Sequence, residues 1–227
     1  MRSAALVLLL ALPLPSCAER GPSPESDDLA AGPEARLAKF VPVEIAADAS
    51  HLEASEAAAL GHLVEAAKLM HPIFLRQAWV RNPELERTLE GTEKALFDVH
   101  RGTWDRLDEE CFLPDCDTPR PDTAGYYPPD MTKAEFEAWV AAHPERKEAF
   151  EGLFTMIVRS DDGGLRAVPY SEFFREHLEP AAEHLRAAAD ATANESLARF
   201  CRSRAAAFLS DDYYASDMDW MDLDSAV

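Results

Sequence analysis

Asp212-Tyr213-Tyr214-Ala215-Ser216-Asp217-Met218-Asp219-Trp220-Met221-Asp222-Leu223-Asp224 is the stretch from which the rest of the chain is best read. It interleaves carboxylates with Tyr, Trp and Met. The rings favour burial, and the carboxylates favour water or a cationic partner. Such a run is costly as a free tail. It predicts a link into further structure, with a solvated aspartate face and with Tyr213, Tyr214, Trp220 and Met221 packed on the other side. The cluster Asp211, Asp212, Asp217, Asp219, Asp222 and Asp224 invites comparison with a calcium loop, but the central Gly and terminal Glu of an EF-hand are missing.

The opening residues carry a different signal. Arg2 is a short positive region, Ala4 to Leu12 is apolar, and Leu14-Pro15-Ser16-Cys17 has the form of a bacterial lipobox. An apolar run of about ten residues is too short to span roughly 30 Å of hydrocarbon as a helix. The expectation is a lipoprotein signal over residues 1–16, with cleavage before Cys17 and lipid on that residue. An ordinary secretory signal with an unmodified Cys17 is the alternative. Ala18 after the cysteine is not the Asp that favours inner-membrane retention, so an outer-membrane or cell-envelope location is expected. Residues 17–38 are polar and Pro-rich without an apolar period, and are expected to form a flexible tether. Residues 39–227 form the body.

The formal net charge is −20. An excess this acidic repels phosphate and excludes a nucleic-acid partner. It also opposes docking on anionic lipid, so the membrane partnership rests on the lipid anchor. Of the four cysteines, Cys17 takes the lipid. Cys111 and Cys116 sit in a short loop and suit a local disulfide in an exported protein. A metal pair is the alternative, although no nearby His or second Cys pair completes a tetrahedral set. Cys201 reads as a buried free thiol.

The body is mainly α, a helical bundle-like unit with one small β-hairpin. Ser50-His51-Leu52-Glu53 has the capping-box form and precedes Leu60, Leu63, Val64, Ala67 and Met70 at helical spacing, with Pro72 as its end or kink. Asn82-Pro83 opens a second helix expected to reach Glu110. Thr132 to Glu135 caps a third, and Pro144 starts another. The period then changes: Leu153 to Arg159 and Leu165 to Pro169 flank Asp161-Asp162-Gly163-Gly164 and predict a hairpin. Ser171 opens a helix to about Ala189, interrupted near Pro180, and Thr192 or Asn194 caps a last one over residues 195–209.

No chemistry-bearing motif stands out. None of the seven histidines begins an H-E-x-x-H, and G-x-S-x-G, phosphate-cradling and dinucleotide-binding glycine patterns are missing. His177 and His184 lie two turns apart, a spacing compatible with a shared face, but Pro180 between them weakens that geometry.

Several collinear segments nevertheless resemble the front part of bacterial zinc peptidases of the dipeptidyl peptidase III family. They are Gly125-Tyr126-Tyr127-Pro128, Met131 to Phe136, Glu148-Ala149-Phe150 running into Leu153 to Ile157, Val168-Pro169-Tyr170-Ser171, and Ala206 to Tyr214. The last is Ser216 to Asp224. The resemblance implies part of a two-lobed fold around a wide cleft. It also implies release of dipeptides from peptide N-termini, with zinc polarising the scissile carbonyl and activating water beside a Glu base. The family's H-E-x-x-G-H motif, its third ligand and its substrate strand have no counterpart here, so no zinc ligand or catalytic residue carries over. Tyr213, Tyr214, Asp217, Trp220, Met221 and Asp222 are the residues of the resembling segment nearest that strand.

The expectation is therefore the N-terminal portion of a lipid-anchored, dipeptidyl-peptidase-III-like protein, inactive alone, with no cofactor of its own. Zinc would belong to the complete fold, and a separately encoded C-terminal part or a peptide would be its partner. A non-catalytic extracytoplasmic lipoprotein that binds a peptide or protein is the rival reading. A cation-binding module built on the acidic run is a third.

Overall fold

The computed structural model describes residues 32–107, 109–113, 120 and 123–227. The elements run α1 (Pro33–Leu37), α2 (Ala54–Lys68), α3 (Met70–Ala78), α4 (Asn82–Thr88), α5 (Gly91–His100), α6 (Lys133–Ala142), and a 3-10 turn at Pro144–Arg146 leading into α7 (Lys147–Phe150). They continue with β1 (Thr155–Arg159), β2 (Leu165–Pro169), α8 (Tyr170–Phe173), α9 (Arg175–Ala191), α10 (Glu195–Ser210) and α11 (Tyr214–Met221). The expected mainly helical body with one hairpin is what forms. Among the described residues, no helix is long and apolar enough to cross a membrane.

The central layer is α2, α9 and α10. Ala59, Ala188, Ala189, Ala198 and Cys201 meet around Leu197, and Ala66, Ala181, Ala182 and Ala205 meet around Leu185. Small side chains at the contact let helix axes approach closely. The Cys201 thiol is fully buried there and free, and burial pushes its pKa up to about 11.

A two-stranded hairpin needs packing partners, and this one has them on both faces. Met156 pairs with Val168 and Ile157 with Ala167. Met156 points into Ile73, Phe174 and Leu178, on the side of α3 and α9. Ile157 and Leu165 point the other way, into Met131, Val140 and Phe150 under α6 and α7. The hairpin thus joins two helical groups. Gly125 fixes a turn of chain against it: a Cβ there would lie 1.7 Å from the Arg76 carbonyl oxygen, so only glycine fits. Its N–H donates to Gln77 O at 2.8 Å, and the next residue, Tyr126, accepts the Ile157 N–H at 3.0 Å.

Several boundaries differ from expectation. Residues 33–37, read as tether, are helical, and buried Arg36 pairs with buried Asp105 at 3.3 Å. The first long helix begins after Glu53, whose N–H is accepted by Glu56 at 3.0 Å. It ends at Lys68, so Pro72 falls in the first turn of α3, where its missing N–H costs nothing. The helix expected from Asn82 to Glu110 is broken twice. Gly91 takes φ 58°, and Arg101 takes φ 56° to end α5. The interruption expected near Pro180 falls instead at Phe174, and Pro180 is carried inside α9. Thr132 caps α6 through the Glu135 N–H, and Asn194 rather than Thr192 caps α10 through the Leu197 N–H.

Arg159 locks the hairpin to the start of α6. Its guanidinium reaches the Asp130 carboxylate at 2.7 Å and also bonds Glu135. The arginine holds both carboxyls below their ordinary values of 3.8 and 4.5. A carboxyl whose folded pKa is depressed contributes stability above its unfolded pKa and loses it as pH falls through the folded one. Replacement R159Q is therefore expected to lower Tm by a few degrees at pH 7. The gap to the parent protein should narrow as pH falls below the ordinary carboxylate values and through the lowered ones, as followed by circular dichroism melts.

Candidate functional site

Asp211 ends α10 in the left-handed region, at φ 61°. Its carboxylate accepts the Ser171 N–H at 3.0 and 3.2 Å and the Ser171 hydroxyl at 2.5 Å. The C-terminus of α10 is thereby tied to the N-terminus of α8, and the chain turns at once into α11. Tyr213, the residue before α11, packs on Phe154 with ring centroids 4.5 Å apart. The Arg204 guanidinium lies 5.4 Å from the centre of the Tyr213 ring. Burial, then Asp211, pushes the Tyr213 phenol up to about 12; burial, then Tyr126, does the same for Tyr170.

The orientation of α11 is the unexpected feature. Its aspartates face the body: Asp217 accepts from Arg204 at 2.6 Å and Asp219 from Arg199 at 2.9 Å. Ser216 is buried, with its hydroxyl on the Tyr213 carbonyl at 2.9 Å. Beyond α11, Leu223 and Val227 pack on the α9–α10 core, and the Asp224 carbonyl accepts from Asn194 at 2.7 Å. The apolar residues face outward. Tyr214, Met218 and Met221 stand at i, i+4 and i+7, one stripe of a helix, and are 76%, 45% and 72% exposed. Trp220 beside them is 61% exposed. The expectation that Tyr214, Trp220 and Met221 pack inward is corrected, and only Tyr213 does so. The arginines that reverse the helix, Arg199 and Arg204, were missed, because their spacing on α10 announces nothing until α11 folds back over it.

Beside Tyr213 lies a groove of about 320 Å³ whose lining includes Phe154, Tyr170, Phe174 and Phe208 with the Arg204–Asp217 pair. It is shaped to take an apolar side chain, and no nucleophile–base pair lines it. Among the described residues, no group of three or more His, Cys, Asp or Glu side chains is placed to hold a metal ion. His62 and His184 face each other, 5.8 Å between ring centres, without a third ligand. His177 lies beside Glu176 at 3.4 Å. The described residues therefore bring together no set that fits a zinc ion. Asp222 is exposed at the end of α11. Cys111 is disulfide-bonded; Cys116 and Cys17 lie outside the described residues.

The two sides of this segment are expected to respond differently to mutation. Y213A should cost roughly 2 kcal/mol for a half-buried ring, a Tm fall of about 6 °C. The double replacement Y214S/M221S should leave Tm within about 2 °C, since exposed side chains contribute little. It should also lower the fluorescence of the dye ANS, which reports open apolar surface.

No family model matches the chain. Solved structures do. The chain is 41% identical to DPP III from Caldithrix abyssi, with a TM-score of 0.77 over 83% of this chain and 37% of that one. It is 40% identical to dipeptidyl-peptidase III from Corallococcus sp. strain EGB, with a TM-score of 0.80 over 86% of this chain and 38% of that one. Among curated proteins it is 32% identical to Nudix hydrolase 3 of Arabidopsis thaliana over 249 aligned positions, 85% of this chain and 32% of that protein. The chain spans about a third of the length of each relative it matches. Its fold is that of the matching third of the dipeptidyl peptidase III structures.

Proposed function

We propose that this chain is the N-terminal part of a lipid-anchored, dipeptidyl-peptidase-III-like zinc metallopeptidase, and that it releases no dipeptides by itself. The observation that carries the reading is the 40–41% identity to two dipeptidyl peptidase III structures along most of this chain. The open stripe on α11 supports it, because a helix that holds its aspartates inward and its apolar residues outward is finished only when other protein covers it. The name of the Arabidopsis relative speaks of a different hydrolysis, at lower identity and in a protein of which this chain spans 32%.

Within the proposal, the zinc ligands and the general base belong to the part of the larger fold that this chain does not span. This chain supplies one wall: the α9–α10 layer, the hairpin and the aromatic groove beside Tyr213. Cys17 would carry the lipid and hold the assembly at the outer membrane or elsewhere in the cell envelope, with the residues that follow it as the link to the body. Cys116 would be the partner of Cys111. The rival, a non-catalytic lipoprotein that binds a peptide or protein, is favoured by the same stripe and groove but leaves the identity to two peptidases unexplained.

The test is direct. The purified chain, incubated with zinc and dipeptidyl naphthylamide substrates, is expected to release no naphthylamine above background. Joined to the remaining part of the Corallococcus enzyme, it is expected to restore release that a chelator abolishes. Chelator-sensitive turnover by the chain alone would overturn the claim of inactivity. A joined protein that folds, binds zinc and stays inactive would favour the binding protein.

A further inference from the structure

Between α1 and α2 the chain reads Phe40-Val41-Pro42-Val43-Glu44-Ile45-Ala46. Apolar β-branched residues at 41, 43 and 45 alternate with Pro42 and Glu44, the pattern of a strand buried on one face. Among the described residues, that face has no cover. Val41, Val43 and Ile45 are 79%, 75% and 94% exposed. No helix, turn or bridge is formed over residues 40–49, and no backbone hydrogen bond joins residues 41–47 to any described residue. The hairpin does not take the segment in, since its sheet has two strands among the described residues and Ile157 on β1 donates instead to Tyr126.

The sequence also says which edge is free to pair. In a strand, the N–H and C=O of one residue point to the same edge, and successive residues alternate. Pro42 has no N–H, so the edge carrying residues 42, 44 and 46 is interrupted. The edge carrying 41, 43 and 45 is complete, and the apolar side chains of the same residues share one face.

We infer that residues 41–45 are a strand that pairs through the Val41, Val43 and Ile45 edge with a strand from the part of the larger fold this chain does not span. The inference rests on the reading under Proposed function. About three fifths of each solved dipeptidyl peptidase III chain lies outside the match, which is ample length to supply the partner strand. A second copy of this chain is the less favoured occupant. Two chains of net charge −20 repel.

Hydrogen exchange on two proteins tests this: the chain alone, and the chain joined to the remaining part of the Corallococcus enzyme. The Val41, Val43 and Ile45 amides are expected to exchange at least about 100-fold more slowly in the joined protein than in the chain alone. V43P should abolish that protection, whereas P42A should keep it, because its nitrogen faces the other edge. Fast exchange at all three amides in a joined protein whose Trp220 has become shielded would overturn the strand while sparing the fragment reading. If Trp220 also stays open, both fail. Protection already present in the chain alone and lost on dilution would assign the partner strand to a second copy and overturn the assignment made here.

Discussion

Two arginine–aspartate pairs, Arg199 with Asp219 and Arg204 with Asp217, decide how the last helix lies. Both are partly open to water, and pairs of that kind contribute at most about 1 kcal/mol each. Their effect is orientational. An eight-residue helix with aspartates on one side and Tyr214, Met218 and Met221 on the other has two ways to lie on a body. On an apolar surface it would turn its stripe down. On α10, which presents arginines, it turns its aspartates down. The burial that holds it comes from its ends, Tyr213 before it and Leu223 and Val227 after it. The outcome is an apolar face left exposed among the described residues.

The same economy appears elsewhere. The hairpin is stable because Met156 and Ile157, adjacent in sequence, are each buried against a different group of helices. Residues 41–45 show the converse, a strand pattern with nothing to pair with among the described residues. The open stripe and the open strand mark two faces toward which additional protein would build. Both agree with a chain that spans about a third of the structures it matches.

Much of the fold was legible from residue pattern. The hairpin follows from the Asp-Asp-Gly-Gly turn between two strand-prone runs, and the Thr132 cap from its place before an apolar period. Helix ends were less legible where backbone conformation set them, as at Arg101 and Asp211, non-glycine residues with positive φ. Pro180 misled because proline was expected to break a helix that packing on Ala66 and Ala205 keeps whole. At the candidate site, the residue pattern located the amphipathic stripe but placed it on the wrong side of the helix. Amphipathic spacing locates a stripe without saying whether the surface opposite is apolar or cationic, and that depended on Arg199 and Arg204 arriving beneath α11.

The outward stripe is tested most directly by tryptophan quenching. Trp79 and Trp104 are buried and Trp139 is stacked between Phe150 and His143, which leaves Trp220 as the indole open to water. Acrylamide should therefore quench a single readily accessible fraction of the emission at low protein concentration, and W220F should remove it. Unchanged quenching in W220F would mean that Trp220 is shielded within the chain, and the outward-facing helix would be wrong.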